Sequence, residues 1–289
     1  MIVPPIKSQG IKTKLISWIN NLIFMSDIQK DMRWIEPFFG TGVVGFNSPM
    51  IGEHIVGDIN PYIIGFYQLV QNRIITADSM RNYLERESLL LSEGGYSYFL
   101  EVRNRFNCSH SIYDFIFLSR SGFNGMMRFN SRGEWNVPFC KKANRFSKSY
   151  ITKICNQIEN VSQVIHSNKW KFYNINFSEM IANATPKDFI YCDPPYYGRN
   201  TDYFNTWTEN DELILFKMLK ETSAKFILST WHHSDYRENE MLKRFWNEFN
   251  VVTKEHFYYN GGKLENRHSV VEALIFNFEV KDCSNCDLN

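Results

Sequence analysis

Apolar residues recur at helical spacing near the start of the chain. In "KTKLISWINNLI", residues 12–23, they return every three or four positions, which predicts an amphipathic helix. "RWIEPFFGTGVVGF", residues 33–46, predicts a strand, a glycine-containing turn and the start of a helix. "EHIVGDINPYIIGFYQLV", residues 53–70, repeats that order, with the strand ending at Asp58 and Pro61 suited to the first turn of the next helix.

The second half of the chain alternates in the same way. Thr208 is expected to cap the helix "ENDELILFKMLKE", and a further helix is predicted at "NEMLKRFWNEF". The predicted strands are "WKFYNI" (170–175), "DFIYC" (188–192), "KFILST" (225–230), "KEHFYYN" (254–260) and "HSVVEALIFNF" (268–278). Strands that alternate with helices predict an α/β fold, a mostly parallel sheet flanked by helices.

The middle of the chain breaks this alternation. Helical stretches follow Ser79, an aperiodic segment covers 120–148, and "YITKICNQIENVSQVI", residues 150–165, predicts another helix. We therefore expect one sheet-containing domain formed by 1–60 and 165–280. The other two parts are an inserted, mainly helical region at 61–164 and a polar tail at 281–289.

The turn "EPFFGTG", residues 36–42, and Asp58 together suggest a ligand. Gly40 and Gly42 allow the backbone to approach a bound molecule closely. Asp58 ends the next strand, about 20 residues on, where nucleoside-binding α/β folds bind a ribose hydroxyl. The turn lacks the third glycine of a dinucleotide fingerprint and the lysine of a P-loop. These features predict a nucleoside ligand.

Two consecutive prolines follow the predicted strand "DFIYC". Neither can continue the strand, so a stiff loop presents Asp193 and Tyr196. The Asp193 carboxylate and the Pro194 carbonyl can each accept a hydrogen bond from an amino group, and the Tyr196 ring offers a stacking face. Alone, the loop is equally typical of a surface turn with a solvated aspartate. Together with the glycine turn and Asp58, it favours a site for a base with an exocyclic amino group.

Residues 120–148 contain seven basic residues and one acid, in a chain whose net charge is +1. This segment predicts a surface that contacts phosphates. Phe123 beside Asn124 and Gly125 suits a ring that wedges into a base stack and an amide that reads a base edge. The alternative is a solvated loop with Phe123 anchored in the core. The basic residues are Arg120, Arg128, Arg132, Lys141, Lys142, Arg145 and Lys148.

Composition narrows the class of protein. With 44% hydrophobic and 22% charged residues, the chain is typical of a globular protein. No apolar run approaches ~18 residues and "MIVPPIKSQG" has no signal core, so we expect neither export nor membrane insertion. Cys283 and Cys286 have no second ligand pair nearby, and the adjacent His232 and His233 of a strand point to opposite faces. We therefore expect no metal site.

The glycine turn, the central segment and the proline-pair loop follow one another along the chain. Together they resemble the motifs of the Dam-like DNA adenine-N6 methyltransferases, the α-class or D12 type. The family's "DPPY" matches Asp193–Tyr196, its "EPFxGxG" matches 36–42, and its strand-end acid is Asp58. The further matches are "KSQGIK" (7–12) with "KWxGGK", "RSGFNGMMRFNSRGEWNVPFC" (120–140) with the central segment, and 260–274 with "NGG…R…VxExL". The resemblance covers nearly the whole chain.

The resemblance implies a Rossmann-like methyltransferase sheet in the domain formed by 1–60 and 165–280, which would bind cofactor, and DNA target recognition by 61–164. Its catalytic loop would be Asp193, Pro194, Pro195 and Tyr196. Cofactor contacts are expected at Lys7, Lys12, Glu36, Phe38, Gly40, Gly42, Asp58, Asn176 and Asp193. DNA contacts are expected at Lys7, Phe123, Asn124, Met126, Arg128, Asn136, Pro138, Lys141 and Lys142.

The implied reaction transfers a methyl group from S-adenosylmethionine to N6 of adenine in double-stranded DNA. The base must leave the duplex, the product is S-adenosylhomocysteine, and no metal is needed. We expect a monomer that acts in the bacterial cytoplasm or nucleoid, or a protein that is encoded by a phage. It would act alone or beside a restriction endonuclease, on a site containing GAT.

Four positions depart from the family pattern. Ser8 replaces a tryptophan and Ile11 a glycine in the first motif, and Phe123 replaces a tyrosine in the central segment. Asn176 stands where the family often has an acid, and we assign it only to the cofactor's adenine.

Two alternatives stay open at this point. A cytosine-N4 or RNA methyltransferase has a similar loop, but the initial Asp193 and the central segment favour adenine in DNA. A DNA-binding relative without catalysis is the other alternative, and the intact Asp193, Asp58 and Gly40 argue against it.

Overall fold

The computed structural model describes residues 1–197, 207–257 and 269–281, whose strands form one mixed eight-stranded sheet. The strands are β1 (Arg33–Glu36), β2 (His54–Asp58), β3 (Trp170–Asn174), β4 (Asp188–Cys192), β5 (Lys225–Ser234), β6 (Arg237–Glu238), β7 (Asn250–Phe257) and β8 (Ser269–Phe276). Their order is β3-β2-β1-β4-β5-β8-β7, and β6 pairs with β5.

The first five strands in that order are parallel, and β6, β7 and β8 pair antiparallel. The parallel order 3-2-1-4-5 is that of doubly wound, nucleotide-binding sheets, so the predicted α/β, Rossmann-like sheet is confirmed. Residues 258–268 and the Cys283–Cys286 pair lie outside the described residues.

Helices cover the sheet and make up most of residues 61–164, the region predicted to be inserted. They are α1 (Ile16–Phe24), α2 (Pro61–Gln71), α3 (Ala77–Ser109), α4 (Ile112–Ser121), α5 (Lys148–Ser167), α6 (Phe177–Ala182), α7 (Glu209–Glu221) and α8 (Glu240–Phe245). Pro61 begins α2 as predicted, capped by Asn60. Thr208 caps α7 in a reciprocal pair with Asp211, which also confirms the prediction.

Several predicted elements differ from those observed. Strand β7 begins at Asn250 rather than Lys254, and α8 ends at Phe245 rather than Phe249. The helix expected after the glycine turn is only a short 3-10 turn, Gly45–Asn47, because Ser48 precedes Pro49 and is extended (ψ 149°). Strand β5 continues past the predicted Thr230 to Ser234, because its far end pairs antiparallel with Val270 of β8.

The inserted region and the sheet share one hydrophobic core. Helices α3, α4 and α5 pack on one another, whereas α2 contacts β2 and β3 directly. Buried residues of both parts, such as Phe172 of β3 and Ile154 of α5, belong to the same apolar cluster. The division into a domain of 1–60 with 165–280 and an insertion of 61–164 stays a prediction. Within the described ranges, no helix has both the length and the apolar character to cross a membrane.

A partly buried ion pair joins the starts of β1 and β4. Asp188 is fully buried and accepts hydrogen bonds from the Arg33 guanidinium at 2.5 and 2.7 Å and from the Thr185 backbone N–H at 2.7 Å. Burial opposes ionisation, but the hydrogen bonds from Arg33 and Thr185 outweigh it and lower the pKa of Asp188.

We predict that Asp188→Ala lowers the free energy of unfolding by about 1–3 kcal/mol near neutral pH, because Arg33 and Thr185 lose their acceptor. Since the folded pKa lies below the unfolded value of about 3.9, this stability is present above that value and is lost as the pH falls through the folded pKa. Urea unfolding at neutral and acidic pH measures both. The control is Lys220→Ala, which breaks an exposed pair with Glu248 and should cost at most about 1 kcal/mol. Equal losses in the two variants would contradict the assignment.

Candidate active site

Three carboxyl groups lie at the edge of the sheet where neighbouring strands end. Because β1 pairs in parallel with both β2 and β4, its last residue Glu36 lies between Asp58, which ends β2, and Asp193, which follows β4. All three line one cleft. The glycine turn and the proline-pair loop therefore both lie at the carboxyl ends of parallel strands.

Most of the predicted cofactor residues line this cleft, and two do not. The cleft residues among them are Lys12, Glu36, Phe38, Gly40, Asp58, Asn176 and Asp193. Lys7 and Gly42 are absent from its lining. A Cβ at Gly42 would lie 2.4 Å from the Phe39 ring, so this glycine is needed for packing. A Cβ at Gly40 would meet no protein atom within 4 Å, which leaves the backbone there open to the cleft.

Asp58 is fixed by backbone donors on both sides. The Gly40 N–H donates to Oδ2 at 2.7 Å and the Asn60 N–H donates to Oδ1 at 2.8 Å. Burial raises the pKa of Asp58 to about 6, although these two hydrogen bonds work against the rise. Each carboxylate oxygen keeps a second lone pair for a ligand.

Glu36 is almost completely buried beneath the turn. The Trp34 indole N–H donates to its Oε2 at 2.8 Å. Burial raises the pKa of Glu36 well above its usual value, and the nearby Asp193 and Asp58 add to the rise. A cation placed in the cleft would act in the opposite direction and favour the carboxylate.

Asp193 forms an ion pair with Lys12. The Lys12 Nζ lies 2.8 Å from Asp193 Oδ1 and 4.9 Å from the centroid of the Tyr196 ring. Burial raises the pKa of Asp193, while the Lys12 ammonium acts in the opposite direction. The structure thus brings together the first lysine-containing motif and the proline-pair loop, which are far apart in the sequence.

Tyr196 is held by a residue that the sequence prediction missed. Its hydroxyl donates to Glu272 Oε2 at 2.8 Å, and Glu272, on β8, has no exposed surface. The "VxExL" match contained this glutamate, but only strand pairing shows where it lies. Pro195 lines the cleft, and Pro194 is buried and absent from the cleft lining.

Aromatic side chains form one wall of the cleft. Phe38 stacks on Phe177 at 5.2 Å between centroids and meets Trp207 edge-on at 5.6 Å. Asn176 lies beside them, and its side-chain oxygen caps α6 by accepting from the Ser178 N–H at 3.0 Å. Phe177 and Trp207 were not predicted, because neither lies in one of the motifs matched in the sequence.

The central segment folds back on itself between Gly122 and Phe139, which form an isolated bridge. Phe123 stands at its turn with 48% of its surface exposed, so the alternative of a ring anchored in the core is wrong. The next residue, Asn124, has φ 51°, and Met126 is half-buried. The Phe123 N–H donates to the exposed Pro138 at 2.8 Å, which closes the turn.

Two polar residues of this segment hold each other. The Arg128 Nε donates to Asn136 Oδ1 at 2.8 Å. Lys7 runs along the same segment, since a Cβ on Gly125 would lie 2.7 Å from its Cε. Burial lowers the pKa of Lys7, and the charge of Arg145 lowers it further. Lys7 therefore lies beside the residues predicted to contact DNA.

The predicted basic surface needs one correction. Arg120 is only 5% exposed and donates to the Pro5 carbonyl at 2.6 Å and to Gln157 Oε1 at 2.5 Å. Its place in a phosphate-contacting surface was wrong, because a charge pattern does not show which arginine is buried. The residues that do remain exposed are Arg132, Lys141, Lys142 and Lys148.

Across the described part of the chain, no group of three or more His, Cys, Asp or Glu side chains could hold a metal ion.

Comparison with known proteins agrees with these motifs. The family model of the D12 class N6 adenine-specific DNA methyltransferases matches residues 8–260. The type II methyltransferase M.FokI of Planomicrobium okeanokoites is 28% identical, over 96% of this chain and 43% of that protein. The retron Ec67 DNA adenine methylase of Escherichia coli is 27% identical over 73% of each. M.MjaIII of Methanocaldococcus jannaschii, a type II methyltransferase, is 28% identical over 96% of this chain and 99% of that protein.

The chain thus spans less than half of M.FokI and nearly all of M.MjaIII. The family match over most of the chain confirms the resemblance drawn from the motifs.

We predict that Arg120→Met lowers the free energy of unfolding by about 1–3 kcal/mol, because the Pro5 carbonyl and Gln157 lose a buried donor. Lys142→Met removes the same charge from an exposed position and should change stability by about 0.5 kcal/mol or less. Urea unfolding of both variants is the measurement. If Arg120→Met unfolded like the parent protein but bound DNA more weakly, the assignment of Arg120 to the protein interior would be wrong. Arg120 would then count as a DNA-contacting residue.

Proposed function

The chain belongs to the D12 class of N6 adenine-specific DNA methyltransferases, and we propose how its cleft performs that reaction. A methyl group passes from S-adenosylmethionine to N6 of an adenine that has left the duplex, and S-adenosylhomocysteine remains. The observation that carries the proposal is the shared cleft, in which Asp193 and Pro195 of the proline-pair loop lie with Gly40 of the glycine turn and Asp58 of β2.

The residues of the cleft fit S-adenosylmethionine. Asp58, with its remaining lone pairs, would accept from the ribose hydroxyls, and the open backbone at Gly40 permits close approach. Phe38 and Asn176 would hold the adenine of the cofactor. Glu36 would face its positive charges, because a cation in the cleft favours the ionised form of this buried carboxyl. When bound, the cofactor supplies a methyl group on positively charged sulfur.

Asp193 would orient the target base. The lone pair of an adenine amino group is delocalised into the ring, which makes the nitrogen a poor nucleophile. Hydrogen bonds from its two N–H groups to the Asp193 carboxylate and the Pro194 carbonyl would favour a tetrahedral nitrogen and direct the lone pair. Tyr196, fixed by Glu272, would stack on the base. The amino proton leaves after the transfer, and no metal takes part.

The central segment would contact duplex DNA. The exposed Phe123 ring suits a wedge at the position of the displaced base, beside Asn124. Lys141 and Lys142, both exposed, suit phosphates, and Lys7 lies beside this segment rather than in the cleft. Arg128, held by Asn136, suits a base edge. Met126 and Pro138 would shape the surface around the turn.

We propose a monomer that acts in the bacterial cytoplasm or nucleoid, site-specifically, on a sequence containing GAT. Some relatives are named type II methyltransferases and others DNA adenine methylases. Action beside a restriction endonuclease and action alone are both consistent with those names. Mapping of N6-methyladenine in DNA from an expressing host identifies the site.

Asp193→Ala should lower methyl transfer by several powers of ten, because oriented positioning supplies about 7–11 kcal/mol in favourable cases. Asp193→Asn keeps one acceptor but adds a donor, so its loss should be smaller. The measurement is single-turnover transfer of labelled methyl to a saturating duplex, together with a thermal melt. Asp31→Ala, the same change at an exposed position, is the control. Transfer near the parent rate by Asp193→Ala, or methylation of cytosine or RNA by the parent protein, would contradict the proposal.

The affinity for S-adenosylmethionine should rise with pH through the pKa of Asp58, about 6. A ribose hydroxyl donates best to the carboxylate, which exists above that pH. The raised pKa also means that the folded state binds more protons, so Asp58 lowers stability as the pH rises from about 4 to about 6. Calorimetry at mildly acidic and neutral pH should show the affinity rise in the parent protein and not in Asp58→Asn. If the affinity for S-adenosylmethionine changed with pH in the same way in both proteins, Asp58 would not bind the ribose.

A further inference from the structure

The buried ion pair of Lys12 and Asp193 has no part in the reaction as proposed above. Lys12 is 4% exposed, and the Asp193 side chain is 21% exposed. The Lys12 ammonium contacts Asp193 Oδ1 at 2.8 Å and lies 4.9 Å from the centroid of the Tyr196 ring. These are the acceptor and the ring that the proposed reaction gives to the target base.

We propose that Lys12 is a placeholder for the target amino group. Its ammonium occupies the hydrogen-bond position on Asp193 in the free protein, and the target base displaces it. This inference rests on the proposed function. An ammonium and an exocyclic amino group are both N–H donors to a carboxylate, so they compete when the amino group approaches Oδ1, the oxygen that Lys12 contacts. Lys12 is then a positioning residue that acts through Asp193, and it forms no bond in the transfer itself.

The surroundings of Lys12 allow the displacement. Its backbone is fixed, because the Lys12 carbonyl accepts from the Leu15 N–H at 2.8 Å just before α1. Its side chain is a flexible four-carbon stem. The Gly10 carbonyl lies 3.4 Å from the ammonium and offers an acceptor when Asp193 turns to the base. Only the side chain has to move.

Charge balance explains why the free protein needs a cation at this position. Asp193 is faced by Lys12 before α1, by Glu36 of β1, by Tyr191 and Cys192 of β4, and by Glu272 of β8. Of these groups, Lys12 alone carries a positive charge. Without it, burial and the charge of Glu272 would keep Asp193 protonated to higher pH. A protonated acid carries a donor of its own and loses its value as an acceptor for the base.

The test separates the free protein from the DNA complex. Single-turnover methyl transfer is measured as a function of pH at saturating cofactor. One series uses a duplex concentration well below the dissociation constant (limiting duplex), and the other uses a concentration well above it (saturating duplex). The first rate reports the ionisation of the free protein and the second that of the complex. The variant is Lys12→Met, and the control is Lys14→Met at an exposed position on the same segment. Calorimetry of each variant sets the cofactor concentration that saturates it.

The acid limb is the part of the pH–rate profile in which the rate of transfer falls as the pH is lowered. In Lys12→Met, the acid limb at limiting duplex should move up by about 1–3 pH units, which is the effect of one close opposite charge on a carboxyl group. At saturating duplex the limb should match the parent protein, because the base has replaced Lys12 there. Lys14→Met should leave both limbs unchanged. Lys12→Arg keeps the cation and should keep the parent limb at limiting duplex, which preserves the test if the methionine variant does not fold.

Three different results would contradict the proposed role of Lys12. An equal shift of both limbs in Lys12→Met would mean that Lys12 stays on Asp193 during the reaction, which overturns the placeholder. A uniform loss of rate with neither limb moved would mean that Lys12 is structural, with the same consequence. Failure of the parent protein to methylate adenine would refute the proposed function itself, and the inference with it.

Discussion

The parallel pairing of β2, β1 and β4 forces three carboxyl groups into one cleft. Groups of like charge cannot all be buried and ionised without compensation, because burial and mutual repulsion both disfavour the charged form. The protein resolves this differently at each position. Asp58 receives two backbone N–H donors, Glu36 has a raised pKa, and Asp193 is paired with Lys12. The chemistry of the cleft follows from these three arrangements.

Strand β8 and the central segment hold residues of this cleft in place from its two sides. The antiparallel strand β8 brings Glu272 to the Tyr196 hydroxyl, so the loop that follows β4 is held by a strand beyond β5. On the other side, Met127 of the central segment lines the cleft and its sulfur accepts from the Asn60 side chain at 3.2 Å. The Asn60 N–H in turn donates to Asp58. The segment assigned to DNA therefore packs directly against the part of the cleft assigned to the cofactor.

The sequence predicted those features that local rules determine. The strand ends at Asp58 and Cys192, the cap at Thr208 and the proline start of α2 each depend on a few neighbouring residues, and the structure has all of them. Features that depend on distant pairing were not predictable. The role of Glu272 requires the register of β8 on β5, and the burial of Arg120 requires Gln157 and Pro5 to meet it. A list of charges along the chain contains no information on either.

A buried acceptor that binds a substrate must also be satisfied when the substrate is absent, since an unpaired buried carboxylate is costly. Asp58 and Asp193 meet this requirement in opposite ways. The donors to Asp58 are backbone N–H groups of Gly40 and Asn60, which stay in place when a ligand binds to the remaining lone pairs. The donor to Asp193 is the end of a flexible side chain, which can leave. The first arrangement suits a small molecule that enters a preformed cleft. The second suits a base that comes from a stacked duplex, because the contact that the base gains on Asp193 replaces one that the free protein already had.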